Sequence, residues 1–376
     1  MMTGGDVQSA ALAEVPPDSK PAREAAQASG LQRTPPDPRP ASRSERWTLL
    51  EVLRWTTKRF QDRGLGTPRL DAEILIAAAL GLPRVQLYVQ FDRPLDAAEL
   101  ARIRELVRRR QGGESVAYVV GHKEFFGLEL TVDTRVLVPR PDTETLVDEV
   151  LARVRERSPA TSLEAAPGID GASGIDEIGE IGEIDKDGVG GDFGVLKIAD
   201  VGTGSGAIAV TLAKHLPTAA VFATDLSPDA LEVARANASR HGVAVSFFHG
   251  DLLAPLVSHA PLDVIAANLP YVPTRDIAGL AAEVRAEPIS ALDGGPDGLE
   301  LVRRVIVEAW PLLTSGSGAA AGAGAGRRGR GGCLVLEIGA GQAEETAALC
   351  RQAGFIEIRS RRDLGEIDRV ISAIKP

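Results

Sequence analysis

Apolar residues recur at helical spacing from Trp47 onward, where WTLLEVLRWTTKRF places them three and four apart, as one buried helix face requires. A second helix is predicted over TPRLDAEILIAAALGLP, with Thr67 at the N-cap, Pro68 at the first helical position and Gly81 as its stop. A third begins at Asp96, whose side chain can cap while Glu99 reaches back, and runs through ELARIRELVRRR to Gly112. Residues 45–115 therefore read as a small helical domain. In EFFGLELTVDTRVLVP the period changes to two around Gly127 and Asp133, which predicts a hairpin in a linker spanning 116–142. A helix from about Thr143 to Arg157 follows. After Gly194 short Val/Ile/Ala runs alternate with helical patterns: VLKIADVG, AIAVTLAKHL, AVFATDL, PDALEVARANASRHG, VAVSFFHG and LDVIAANLP. That alternation predicts βαβ units, a parallel sheet and helices on both faces. Strand CLVLEIG, helix QAEETAALCRQAG and strands FIEIRS and DRVISAI complete the chain.

Three stretches have no period. Residues 1–44 mix Pro, Ala, Ser and charge and are expected to be a disordered tail. The Gly- and acid-rich segment 162–192 and the Gly/Ala/Arg-rich segment 315–332 are expected to be flexible insertions. They account for much of the 40 glycines, and 376 residues leave ample length for a sizeable core. The formal charge of -10 suggests at first a protein that avoids nucleic acid. Segment 162–192, however, carries nine acids and one base, whereas 45–124 carries 14 bases and 11 acids. The net charge thus describes an insertion and excludes no partner that works beside RNA. Arg102, Arg104, Arg108, Arg109 and Arg110 cluster on the third helix, either as a solvated face or as a docking surface.

Cys333 and Cys350 form no CxxC, and the five histidines have no metal-ligand spacing, so no metal is expected. The first thirty residues lack an apolar signal core, and no later run has a membrane-spanning length. A soluble, non-secreted, cytoplasmic protein is the expectation.

Candidate chemistry begins where strand VLKIADV runs into Gly202, Thr203, Gly204, Ser205 and Gly206 ahead of a helix, a backbone suited to close approach of a nucleotide-like ligand. As GxGxxA the loop suits a dinucleotide; as GxGxG it suits S-adenosylmethionine. In either case Asp225 is placed for ribose hydroxyls. Asp251 and Leu252 follow the next strand and could border an adenine, a reading favoured over that of Asp251 as a plain strand-end acid.

The fourth strand decides between the two ligands. It ends in Asn268, Leu269, Pro270 and Tyr271, which matches the Asn-Pro-Pro-Tyr type of motif in methyltransferases that modify a planar nitrogen. The lone pair of such a nitrogen is delocalised, so the site must orient the NH2 group. Asn268 Oδ1 and the carbonyl of residue 269 can accept its two hydrogens while Tyr271 lies against the planar group.

With these motifs in place the chain resembles the release factor glutamine methyltransferases. The resemblance runs from about residue 47 to 374 and is most specific in AYVVGHKEFFGLELTVDTRVLVPRPDTETLV and EPISALDGGPDGLELVRRVI. It implies transfer of methyl from S-adenosylmethionine to the side-chain nitrogen, N5, of glutamine in the Gly-Gly-Gln motif of class 1 peptide chain release factors, in translation termination and in possible proximity to the ribosome. It also implies an α/β architecture: an N-terminal helical domain, a β-hairpin linker and, over 143–376, a Rossmann-like seven-stranded methyltransferase sheet whose last strand is antiparallel. Carried over by position, the donor site comprises Gly202 to Gly206, Asp225, Asp251, Leu252 and Asn268, and the amide site Asn268 to Tyr271.

Leu269 departs from the family's usual proline and also matches ribosomal RNA adenine dimethylases. Leucine keeps the carbonyl acceptor, and Pro270 after it favours an extended backbone, so activity is expected to survive with less rigidity. Phe125, Phe126, Pro139, Arg140, Pro141, Thr143 and Glu144 either close over the ligands or serve as hairpin core, with Arg140 paired to a carboxylate. Glu287-Pro288 and Asp297-Gly298 either shape the pocket rim or form turns. Adenine N6 methylation of RNA or DNA, and a non-catalytic cofactor-binding partner of translation, remain as alternatives.

Overall fold

Local capping chemistry sets the first helices. In the computed structural model, which describes residues 47–157, 195–316 and 331–376, Thr48 and Glu51 form a reciprocal capping box at α1 (Leu49–Asp62), and Asp96 and Glu99 form another at α4 (Ala97–Gln111). Between them lie α2 (Pro68–Leu80) and α3 (Arg84–Val89). Thr67 holds the N-cap position of α2, but its hydroxyl donates to Asp71 Oδ1 at 2.6 Å instead of capping the backbone. The Val-rich segment after Ser115 was expected within the linker; it forms α5 (Val116–Val120), capped by Ser115. Val119 joins Leu49, Phe60, Leu75, Ile76 and Ile103 in one buried helical cluster.

The hairpin then follows as β1 (His122–Phe125) and β2 (Leu128–Thr131), joined by Phe126 and Gly127, both at positive φ. Two such residues give the tight turn whose twist matches that of the strands. A 3-10 turn over Pro141–Thr143 leads into α6 (Glu144–Arg157). Then come β3 (Lys197–Val201), α7 (Ala207–His215), β4 (Ala220–Asp225), α8 (Pro228–His241), β5 (Ser246–His249), β6 (Val264–Ala267), α9 (Ala282–Arg285), α10 (Glu300–Leu312), β7 (Cys333–Glu337), α11 (Ala343–Gln352), β8 (Ile356–Arg362) and β9 (Asp368–Ile374).

The seven sheet strands lie in the order β5-β4-β3-β6-β7-β9-β8. The first five are parallel, and β9 runs antiparallel to both of its neighbours. Alternate residues of each central strand serve opposite cores. Val264 and Ala266 of β6, with Cys333 and Val335 of β7, pack with α6, α7 and the hairpin. Ile265, Ala267, Leu334 and Leu336 pack with α10. Both cysteines are free and buried. The tail 1–44, segment 162–192 and all but the ends of segment 315–332 lie outside the described residues.

Candidate functional site

Strand order reverses between β3 and β6, since β4 and β5 continue to one side and β7 to the other. In a parallel sheet the loops at such a point diverge and leave a crevice beyond the strand ends. Register fills that crevice. Val201 pairs with Thr224 and with Ala267, and Ala267 pairs with Leu336, so Gly202, Asp225, Asn268 and Glu337 stand side by side at the strand ends. A Cβ on Gly202 would stand 3.2 Å from Leu269 Cδ2, which shows how closely the glycine loop meets the Asn268 segment.

On the β3 side the loop bends inward and outward by turns. Thr203 and Ser205 are buried, whereas Gly202 is exposed. The Thr203 hydroxyl donates to Asp200 Oδ2 at 2.6 Å, and Ala209 N–H donates to the same oxygen at 3.1 Å. Burial nevertheless pushes the Asp200 carboxyl up to about 7. Gly206 lets α7 approach α8: its φ is +82°, and an added Cβ would lie 3.1 Å from that of Ala234. Asp225 accepts from Gly204 N–H and Ser227 N–H, both at 2.8 Å. Burial raises its pKa above the usual Asp range, opposed by those backbone donors. The carboxylate of Asp251 is half-exposed and takes Arg304 at 2.6 Å, whereas Leu252 beside it is buried at positive φ.

On the β6 side Asn268 Nδ2 donates to Thr143 Oγ1 at 3.0 Å. Leu269 is buried in the core with Leu299 and Val302. Tyr271 OH reaches Glu337 Oε1 at 3.5 Å, and burial lifts the phenol to about 12, so it stays protonated. Glu337 closes β7 almost wholly buried. Desolvation pushes its carboxyl up to about 7, against the Thr143 hydroxyl and the positive charge of Arg369, with Asp142 adding to the rise. Sequence reasoning passed over Glu337 and Asp200, because each ends an apolar strand and no motif marks it.

The two flanking segments act as struts. Arg140 pairs with Glu287 at 2.5 Å, and Glu287 also accepts from Val138 N–H at 3.2 Å, so the Pro-Arg-Pro linker is pinned to the Glu287-Pro288 loop. Of the two roles open to these linker residues, Arg140 takes the carboxylate-paired one. Phe125 is core, Phe126 packs edge-on to His215, and Glu144 accepts from Phe126 N–H. Gly294 presses against the motif: a Cβ there would sit 2.7 Å from the Pro270 carbonyl and 2.8 Å from Tyr271 Cα. Asp297 accepts from Leu299 N–H and Arg303, and Gln342 donates to the Tyr271 carbonyl at 3.0 Å. The 287–298 segment therefore turns and packs closely against Pro270 and Tyr271.

Comparison with known proteins agrees with this geometry. Residues 51–121 match the family model described as the PrmC N-terminal domain, and residues 198–286 match one described as a methyltransferase domain. A release factor glutamine methyltransferase of Geobacter sulfurreducens is 38% identical over 87% of this chain and 96% of its own length. Its counterpart from Moorella thermoacetica is 38% identical over 82% of this chain and 91% of its own. Nearly full-length relatives of one kind, on a fold with the crevice and strand-end residues above, place the chain in the release factor glutamine methyltransferase family.

Proposed function

We propose that this protein methylates the N5 side-chain nitrogen of the glutamine in the Gly-Gly-Gln motif of class 1 peptide chain release factors, with Asn268 to Tyr271 as the amide site. The observation that carries the reading is Asn268 itself, at the end of β6 beside Gly202, with its Nδ2 already held by Thr143. Its Oδ1 is thereby left to accept from a substrate. Among the described residues no hydrogen bond engages the Leu269 carbonyl, the second acceptor. Two acceptors fix both N–H directions of a planar amide, and with them the face on which its lone pair can be drawn out. Tyr271, neutral and flanked by Gly294 and Gln342, offers an aromatic wall for the amide plane. No base is needed before transfer, since an N-methylated amide cation is strongly acidic and loses its proton to water.

The crevice fits S-adenosylmethionine. Each Asp225 oxygen accepts one backbone bond and keeps a second lone pair for a ribose hydroxyl. A Cβ at Gly204 would meet nothing within 4 Å, so space lies open ahead of the loop. When bound, the donor supplies an electrophilic methyl on a sulfonium sulfur. Gly202 to Gly206 would hold its amino-acid end, Asp225 the ribose, and Leu252 with Asp251 the edge of the adenine. Asp251 is half-engaged by Arg304, which leaves its other oxygen for that contact. Among the described residues no helix is long and apolar enough to cross a membrane. We place the activity in the cytoplasm, beside the translation apparatus where release factors work.

Incubation with methyl-labelled S-adenosylmethionine and a release factor tests the reading. Label is expected on the Gly-Gly-Gln glutamine, with none on a factor whose glutamine is alanine. Equal labelling of both factors, or labelling of RNA alone, would overturn it. Asn268→Ala should lower kcat by about 100-fold or more and donor affinity far less, because the orienting acceptor for the amide is lost while the donor keeps its contacts to Gly202 to Gly206 and Asp225.

A further inference from the structure

Thr143 stands outside the amide motif by more than a hundred residues, yet it is buried and its hydroxyl accepts from Asn268 Nδ2, while Glu337 on the neighbouring strand end has a buried Oε2 with no hydrogen-bond partner among the described residues. Pairing of Ala267 with Leu336 puts Asn268 and Glu337 on neighbouring strand ends, and the pleat turns both toward the face that α6 covers. Thr143 immediately precedes α6. We propose that Thr143, anchored by Glu337, is the positioning residue that fixes which end of the Asn268 carboxamide faces the substrate.

Proton counting supports it. A hydroxyl has one hydrogen, and an ionised carboxylate can only accept. Turned toward the buried Glu337 Oε2, which has no other hydrogen-bond partner among the described residues, that hydrogen leaves Thr143 Oγ1 only lone pairs to offer, so Asn268 would present Nδ2 to it and turn Oδ1 the other way. The 3.0 Å contact has that polarity. Without the lock the carboxamide can rotate by half a turn. It would then present an NH2 group to the NH2 group of the target, and the acceptor needed for the reaction would be lost. Tyr271 donates to Glu337 Oε1 at 3.5 Å, so the same carboxylate also braces the aromatic side chain that frames the amide.

The inference rests on the glutamine reading above, and the test separates the two. Thr143→Val keeps shape and removes the hydroxyl; it should cut kcat on a release factor by about tenfold or more. Donor affinity by calorimetry and KM for the factor should change by less than about threefold. Thr143→Ser should recover most of the rate, because it restores the oxygen. In an Asn268→Ala background Thr143→Val should cost almost nothing further, since no carboxamide is left to orient. If the valine variant does not fold, Thr143→Ala, which overpacks nothing, carries the same expectations. An unchanged kcat, a serine variant as slow as valine, a loss carried by donor affinity, or an undiminished effect in the Asn268→Ala background would each overturn the assignment while glutamine labelling by the wild type stands. Failure of the wild type to label glutamine would overturn the function and this inference together.

Discussion

Asp225 accepts hydrogen bonds from Gly204 and Ser227 through different carboxylate oxygens, so the residue assigned to the ribose also shapes the loop assigned to the rest of the donor. Asp225→Ala should weaken S-adenosylmethionine binding by about 10- to 100-fold in calorimetry, because ribose acceptors and loop order go together. Equal affinity would remove Asp225 from the site. Leu269 carries a different burden. Its side chain is buried beside Leu299 and Val302, so packing holds the segment where the family's usual proline would hold it by its ring. Leu269→Ala should cost about 2–4 kcal/mol in urea unfolding. The looseness expected from leucine at this position is thus offset by burial. Glycine loop and amide motif were legible because each concentrates its chemistry in four or five consecutive residues. Glu337 was not: CLVLEIG reads as an ordinary strand, and only pairing of Ala267 with Leu336 sets its acid beside Asn268.

Arg110 shows how the helices are joined to the site. Its side chain is almost wholly buried and bonds Asp71 of α2 at 2.8 Å, Glu283 of α9 at 2.7 Å and the Glu114 carbonyl at 3.1 Å. α9 lies between the amide motif and the Glu287 strut, so α4 buttresses the polypeptide that frames the crevice. Of the arginine cluster on α4, Arg102, Arg104 and Arg108 are exposed as a solvated face would be, whereas Arg109 is half-buried and Arg110 buried. Arg109 donates to Glu114 and to the carbonyls of Tyr118 and Val119, Arg102 to the Ala79 carbonyl, and Arg108 to Glu105. Arg110→Met should destabilise by about 3–5 kcal/mol, since it strands buried Asp71, whereas Arg108→Ala on the surface should stay within about 0.5 kcal/mol. Thermal melts of the two variants test the contrast. Among the elements, helices with capping boxes and strands with regular alternation were legible. α3 and α5 were missed because six and five residues are too few to establish a period, and the valines of α5 favour extended structure until Ser115 caps them.

Across the whole molecule, four carboxylates at or beside the crevice share one cause of perturbation. Burial raises Asp200 and Glu337 to about 7 and raises Asp225 and Glu287 as well, the last opposed by Arg140. An acid whose pKa is higher folded than unfolded holds its proton more tightly in the native state. Its contribution to stability is full below about pH 4 and is lost as pH rises through the folded value. Exposed Asp297, lowered to about 2 by Arg303 and the Leu299 N–H, acts in the opposite sense, its stabilisation disappearing only as pH falls below about 4. Melting temperature without donor should therefore peak in mild acid and fall between about pH 5 and 8. The orienting lock needs Glu337 ionised, in a setting that also contains Thr143, Tyr271, Asp142 and Arg369. Protonated, Glu337 could donate to Thr143, free that hydroxyl to donate to Asn268 Oδ1, and favour the wrong carboxamide orientation. The kcat should thus rise with pH through about 7 over the range in which stability falls. Glu337→Gln separates the two effects: it should flatten part of the decline in melting temperature, because one titrating buried acid is gone, and hold kcat low without that rise. A variant whose pH profiles overlay those of the wild type would show that Glu337 governs neither.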